Sequence, residues 1–155
     1  MFEIQTFLHF LILFSCYCGE SSAGSIAQSV SSLVGRRQII GIRGQLLCGT
    51  EPLTNTTVKL WDEDSGPDPD DLLAEGLTNA TGHFSIYGAA RELTNIDPKF
   101  KIYHRCHVKE GGCKRKVTFV IPDNYISVGN KLEKWFEFGS LNMEIITRKE
   151  GTQCF

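Results

Sequence analysis

Apolar and polar residues alternate along most of the chain from Gln38 onward, which predicts β-strands because successive side chains of a strand point to opposite faces. Turn residues separate the runs, and only Ala89 to Leu93 fits a helical turn. We predict an all-β sandwich of seven to eight short strands in one domain, residues 38–155. The expected core positions are Ile40, Ile42 and Leu46; Val58 and Leu60; Phe84 and Ile86; Phe100 and Ile102; Val117, Phe119 and Ile121; and Leu141, Met143 and Ile145.

Residues 1–23 have the pattern of a secretory signal peptide. The apolar run from Phe7 to Phe14 is interrupted only by His9 and is too short to span a bilayer, and small residues precede a cleavage site near Ala23. The preceding segment carries Glu3 and no basic residue, so a buried N-terminal helix is the alternative. Residues 24–37, rich in serine, are expected to form a disordered spacer. The sequence thus predicts a secreted, extracellular protein that does not span the membrane.

Two further patterns depend on secretion. Asn55 and Asn79 each begin an Asn-X-Thr triplet, which makes them candidate glycosylation sites. Loss of the signal peptide also removes Glu3 and Glu20, which changes the formal charge from −2 to zero. The mature chain then carries no global charge bias, and we expect no nucleic-acid partner because the chain is predicted to be secreted.

The predicted mature chain keeps four cysteines, Cys48, Cys106, Cys113 and Cys154. An even number in an oxidising compartment predicts two disulfides, with three possible connectivities. Cys106 and Cys113 flank a short Gly-rich turn, so spacing favours a hairpin disulfide between them, and Cys48 then pairs with Cys154 by elimination.

Five motifs in register resemble the nematode transthyretin-like family, over about residues 38–154. They are Ile42 to Cys48, Val58 to Asp62, Thr78 to Phe84, Tyr103 to Cys106, and Ile121 to Ile126. The resemblance implies a transthyretin-type sandwich and secretion, with no activity common to the family. The related hydroxyisourate hydrolases need a C-terminal Tyr-Arg-Gly-Ser segment, whereas this chain ends with Gly151 to Phe155. We therefore expect no enzymatic activity and no cofactor.

A zinc site is the alternative to these disulfides. His104, Cys106, His107 and Cys113 are residue types that bind Zn²⁺. Alternation along a strand puts His107 on the opposite face from His104 and Cys106, and secretion disfavours free thiolates. We therefore expect no metal, and His104 is predicted to point into the core and to hydrogen-bond the backbone.

Charged residues form two clusters of opposite sign. The acidic one is predicted to be a solvated loop rather than a Ca²⁺ site, and it contains Asp62, Glu63, Asp64, Asp68, Asp70 and Asp71. The basic one is predicted to form a binding face on neighbouring strands, made of Lys99, Lys101, Tyr103, Arg105, Lys114 and Lys116.

These patterns favour a secreted binding or adaptor module whose basic face meets an extracellular protein or an anionic phospholipid or glycan surface. The alternative is a carrier of a small apolar ligand in a cavity or oligomer channel. The oligomeric state is left open.

Overall fold

A computed structural model describes residues 35–63, 69–147 and 150–154. The predicted signal peptide and most of the predicted spacer lie outside this part of the chain. Ten strands are found in the described ranges: β1 Arg36–Cys48, β2 Glu51–Pro52, β3 Thr57–Asp62, β4 Asp71–Leu77, β5 His83–Glu92, β6 Pro98–His104, β7 Lys114–Val120, β8 Ser127–Val128, β9 Phe136–Asn142 and β10 Gly151–Gln153. Among the described residues, no helix has the length and apolar character to cross a bilayer.

The strands form two sheets, which confirms the predicted all-β sandwich. In the first sheet β1 is the common partner of β2, β5, β8 and β9, and its pairing with β9 is parallel. The second sheet has the order β10-β7-β6-β3-β4 and is antiparallel throughout. Strand β1 begins at Arg36, so the last two residues of the predicted spacer belong to a strand.

Aromatic rings in contact with one another pack between the two sheets. Phe84 of β5 and Phe100 of β6 lie with ring centroids 5.0 Å apart and nearly parallel planes. Phe138 of β9 meets Phe100 edge-on at 5.3 Å, and Phe119 of β7 at 5.0 Å. Burial of a Phe side chain contributes about 1.5–3 kcal/mol, so this cluster is a main link between the sheets. The alternation correctly predicts the buried positions of β1, β3, β5 and β6.

Three local predictions were wrong. Ala89 to Leu93 does not form a helical turn, because β5 continues to Glu92 and pairs with β1 as far as Arg36. Ile145 lies beyond the end of β9 and is 41% exposed. Strand β4 was missed, because its sequence shows no two-residue apolar period. Its pairing with β3 is also interrupted by a bulge at Leu60 and Trp61.

Candidate functional site

The disulfides do not have the predicted connectivity. Cys48 is bonded to Cys106, and Cys113 is bonded to Cys154. The first bond joins the end of β1 to the turn after β6 and therefore links the two sheets. The second lies within one sheet and holds β10 against β7.

Backbone geometry explains the difference. The pairing of His104 with Arg115 would place Cys106 opposite Cys113 if the ladder continued. Strand β6 ends at His104 instead, and the turn carries Cys106 into the core, where it is 2% exposed. Strand β10 pairs with the opposite edge of β7, and the Cα atoms of Cys113 and Cys154 lie 4.2 Å apart.

Arg115, which lies between Lys114 and Lys116 in the sequence, is a structural residue. Its guanidinium donates hydrogen bonds to the carbonyl oxygens of Cys106 and Met143, each at 3.1 Å, and of Ile145 at 2.7 Å. It also pairs with the carboxylate of Glu150. The hydrogen bond from Arg115 holds the pKa of Glu150 below its usual range. Arg115 thus fixes three chain segments around the first disulfide and is not available to a partner.

The β6 half of the predicted basic face is neutralised internally. Lys99 donates to Glu63 at 2.6 Å, and Lys101 donates to the other oxygen of the same carboxylate. Burial would raise the pKa of Glu63, but the hydrogen bonds from the two lysines outweigh it and the pKa is lowered. The Lys101 ammonium also lies 4.6 Å from the ring centroid of Trp61, a favourable cation–π contact.

Tyr103 is not an exposed aromatic of this face. Its side chain is 7% exposed, and the Lys59 ammonium lies 5.7 Å from the centre of its ring. Lys59 is itself paired with Glu75 at 3.0 Å. The central strands therefore present a surface whose charges are matched, which the sequence pattern could not show because Glu63 and Glu75 come from other parts of the chain.

Three members of the predicted face remain, and we call them the cationic edge: Arg105, Lys114 and Lys116. None of them forms an ion pair within the described ranges. Arg105 and Lys114 line a shallow depression with Gln153 and Cys154, and Arg105 donates to the carbonyl of Gly112 at 2.9 Å. Lys116 lies opposite Tyr103 on one side and Gly151 on the other.

The four candidate zinc ligands named in the sequence analysis do not lie together in one site. Cys106 and Cys113 belong to different disulfides, and His104 is buried in the core as predicted. The ring Nδ1 of His104 accepts the backbone N–H of Cys106 at 3.3 Å. Burial, ahead of repulsion from Arg115, lowers the pKa of His104 to about 4. His107 lies within 4.8 Å of both sulfurs of the first disulfide, but that bond leaves no thiolate there.

Part of the predicted acidic loop is structural as well. Asp62 is the last residue of β3, is buried, and accepts the backbone N–H of Asp97 at 2.7 Å. Glu63 is the partner of the two lysines described above. Asp70 is exposed, in agreement with a solvated loop. Asp71 is exposed too, but it is the first residue of β4 and not part of a loop, and Asp64 and Asp68 lie outside the described residues.

Both candidate glycosylation sites lie on exposed turns. Asn55 precedes β3 with a φ of 48°. Asn79 precedes β5, and its Oδ1 accepts hydrogen bonds from the backbone N–H groups of Thr81 and His83, each at 2.9 Å. The side-chain nitrogen that would carry a glycan makes no described hydrogen bond at either position.

A cleft of about 560 Å³ lies on the outer side of the first sheet. Its apolar part is formed by Ile39, Tyr87, Leu132 and Trp135, and two cations, Arg37 and Lys131, also line it. Sequence reasoning missed it, because the segment between β8 and β9 has no periodic pattern and folds over β1 only in the tertiary structure.

Known proteins resemble the chain over most of its length. The sequence profile of the Transthyretin-like family matches residues 43–122. Transthyretin-like protein 46 of Caenorhabditis elegans is 50% identical over 118 residues, which are 74% of this chain and 65% of that protein, so the present chain spans less than two thirds of its length.

Two other proteins of Caenorhabditis elegans match over larger shares of their own length. Transthyretin-like protein 33 is 46% identical, with 76% of this chain and 82% of that protein covered. Transthyretin-like protein 5 is 40% identical, with 83% and 93% covered. A bacterial 9R-lipoxygenase structure superposes on 77% of this chain at a TM-score of 0.38 and 21% identity, which is too distant to carry an argument. The sequence matches show that the chain belongs to the Transthyretin-like family.

Proposed function

We propose that this protein is secreted and acts as an extracellular binding module, with the cationic edge as its contact surface. Two disulfides support the extracellular location, because such bonds persist in oxidising compartments. The observation that carries the binding role is the grouping of Arg105, Lys114 and Lys116 without ion pairs among the described residues. Unmatched cations that lie together attract anionic surfaces by screened electrostatics.

The neighbouring lysines explain why the edge, and not the whole face, is the proposed contact. Lys99 and Lys101 share Glu63, so they add little to the external potential. The disulfide of Cys113 with Cys154 holds β10 beside β7 and so keeps Lys114 next to Gln153. A partner of the required chemistry is a sulfated glycan, an anionic phospholipid surface or an acidic protein.

We also infer that the protein binds rather than catalyses. Its three described histidines lie in separate surroundings: His83 contacts Thr81 at 2.9 Å, His104 is buried, and His107 pairs with Glu144 at 2.8 Å. Each is engaged in a local structural contact, whereas acid–base catalysis requires a base, a reacting group and a stabilising donor in one place.

The proposed role is tested by removing charge from the edge. The triple variant Arg105→Gln, Lys114→Gln, Lys116→Gln is compared with a matched control, Arg36→Gln, Arg91→Gln, Lys134→Gln, which loses the same charge at exposed positions around the other sheet. We expect the edge variant to elute from heparin at clearly lower salt and the control to elute near the wild type. Equal losses in both variants would show that only net charge matters and would refute the edge as the contact.

A second assay separates the possible partners. Vesicles with and without anionic phospholipid are sedimented with the wild type and the edge variant. Binding that is specific to anionic vesicles and lost in the edge variant identifies a lipid surface, whereas heparin binding alone identifies a glycan.

Glycosylation is proposed at Asn55 and Asn79, and enzymatic deglycosylation of the secreted protein followed by peptide mass analysis tests each position.

The carrier role is the second candidate, and one observation favours it. The cleft at Tyr87 and Trp135 has a volume within the range of about 300–1,000 Å³ that is usual for small-ligand sites. The site lies outside the aromatic core, so binding there would not require the two sheets to separate.

A further inference from the structure

We propose that the cleft between Tyr87 and Trp135 binds a small organic carboxylate with a flat apolar body, whose anionic group is held by Arg37 and Lys131. The proposal rests on the carrier role and names its site and ligand class. It is independent of the cationic edge, which lies on the other sheet.

The apolar wall of the cleft is formed before any ligand arrives. The rings of Tyr87 and Trp135 meet edge-on with centroids 6.2 Å apart. On the other side, the guanidinium carbon of Arg43 lies 5.3 Å from the centre of the Trp135 ring. Arg43 is in turn fixed by a hydrogen bond from its Nε to Glu137 at 2.7 Å. A wall held in this way loses little conformational freedom when a ligand binds.

Gly41 allows the wall to lie against β1. A Cβ atom at this position would be 2.6 Å from Cδ2 of Leu132 and 3.0 Å from Cε3 of Trp135. The absence of a side chain on the outer side of β1 therefore lets the segment before β9 pack onto the sheet. The buried side chain of Ile39 supplies the adjacent apolar surface.

Charge decides which ligand suits this cleft. Arg37 and Lys131 line it, and no carboxylate is among the described residues that line it. Neither cation forms an ion pair within the described part of the chain. Two unmatched cations beside aromatic rings disfavour a cationic ligand and favour an anion, and a guanidinium pairs well with a carboxylate through charge-assisted hydrogen bonds. The apolar body of such a ligand would lie against Tyr87 and Trp135.

A pair of fluorescent probes tests both parts of the proposal. 8-Anilinonaphthalene-1-sulfonate has a flat apolar body with one negative charge, and N-phenyl-1-naphthylamine has the same body without the charge. We expect Arg37→Gln, Lys131→Gln to weaken binding of the anionic probe by about tenfold or more, as expected for lost charge-assisted contacts, and to leave the neutral probe nearly unchanged. Tyr87→Ser is expected to weaken both probes.

Two controls locate the bound probe. In a Trp61→Phe chain, Trp135 is the remaining tryptophan of the two in the sequence, so energy transfer from it to the probe reports binding at the cleft. The edge variant Arg105→Gln, Lys114→Gln, Lys116→Gln removes more charge far from the cleft and is expected to bind both probes like the wild type. If the edge variant binds heparin as tightly as the wild type, the cationic edge is not the contact surface, but the probe-binding result for the cleft still stands.

Competition with the anionic probe tests whether the cleft prefers a carboxylate over an uncharged polar group. 2-Naphthoate is expected to displace the anionic probe at lower concentration than 2-naphthamide, because only the carboxylate pairs with the two cations. Equal displacement, or unchanged binding of the anionic probe to the Arg37→Gln, Lys131→Gln variant, would overturn the proposal.

Discussion

Removal of the Cys48–Cys106 disulfide is predicted to be the most destabilising single change to the cross-links of this protein. The perturbation is the double variant Cys48→Ala, Cys106→Ala, which leaves the second bond intact. The two cysteines are 58 residues apart, and the chain-entropy model assigns such a cross-link about 4 kcal/mol. Cys106 is also 2% exposed, and truncation of a buried side chain adds about 1 kcal/mol.

The matched control is Cys113→Ala, Cys154→Ala. Its 41-residue separation gives a similar entropic contribution, about 4 kcal/mol. That bond holds only β10, a three-residue edge strand, and Cys154 is exposed. Without the bond β10 can detach while the sandwich stays folded, which limits the loss to the free energy that docks β10. We therefore expect the control to lose clearly less stability than the first variant.

Urea unfolding of the oxidised proteins, followed by tryptophan fluorescence, measures both losses. Connectivity is checked beforehand on the non-reduced, deglycosylated wild type. Trypsin places each cysteine on a different peptide, because it cleaves after Arg43, Lys59, Arg105, Lys109, Lys114 and Lys149. The expected pairs join residues 44–59 to 106–109 and residues 110–114 to 150–155. A linked pair 106–109 with 110–114, or a control variant that is the less stable of the two, would refute the reasoning.

Three further predictions concern charge. Burial lowers the pKa of His104 to about 4, against 6.5 in the unfolded chain, so the unfolded state binds the proton more readily. The free energy of unfolding should therefore fall by about 3 kcal/mol as the pH drops from about 6.5 to about 4. Urea titrations across this range should show a flatter profile for His104→Gln, and an unchanged slope would contradict the assignment. The pKa of Glu150 is lowered, so its pairing with Arg115 stabilises the fold above the unfolded pKa near 4.5, and this stability is lost as the pH falls through the lower folded value. In urea unfolding, Glu150→Gln should lower the free energy of unfolding by about 1–3 kcal/mol at pH 7. Its stability should also depend less on pH than that of the wild type at the lowest pH. Glu63→Gln should release its two lysine partners and raise the salt concentration needed to elute the protein from heparin, and elution at the wild-type position would show that the lysines remain masked.

Local patterns were sufficient for much of the fold. Alternation at Ile40 and Ile42, or at Phe100 and Ile102, identifies buried positions because a strand has a fixed two-residue period and one face must be apolar. The same logic failed for β4, whose Leu72 and Leu73 are adjacent and whose pairing with β3 is bulged. It also overlooked β10, because a three-residue strand is too short for a period to be visible.

The surfaces were harder to predict, since charge matching is a property of contacts between distant segments. The spacing of Lys99 and Lys101 correctly placed them on one face, but the carboxylate that neutralises them comes from Glu63, which follows β3. Arg115 stands between Lys114 and Lys116 in the sequence, yet its position on β7 directs it toward backbone carbonyls near Cys106. Of the predicted basic face, only the cationic edge has no ion pair among the described residues.

The sequence by itself determined the β class, the inward-facing residues of the main strands and the family, because these depend on short-range periodicity and on motifs read in order. The tertiary structure alone decided which cysteines are bonded, which cations are matched and where a cleft opens. Those features depend on where β6 ends and on which segment packs beside β7 or over Gly41. These contacts form because they lower the free energy of the complete folded chain, and a local sequence pattern gives no information on that free energy.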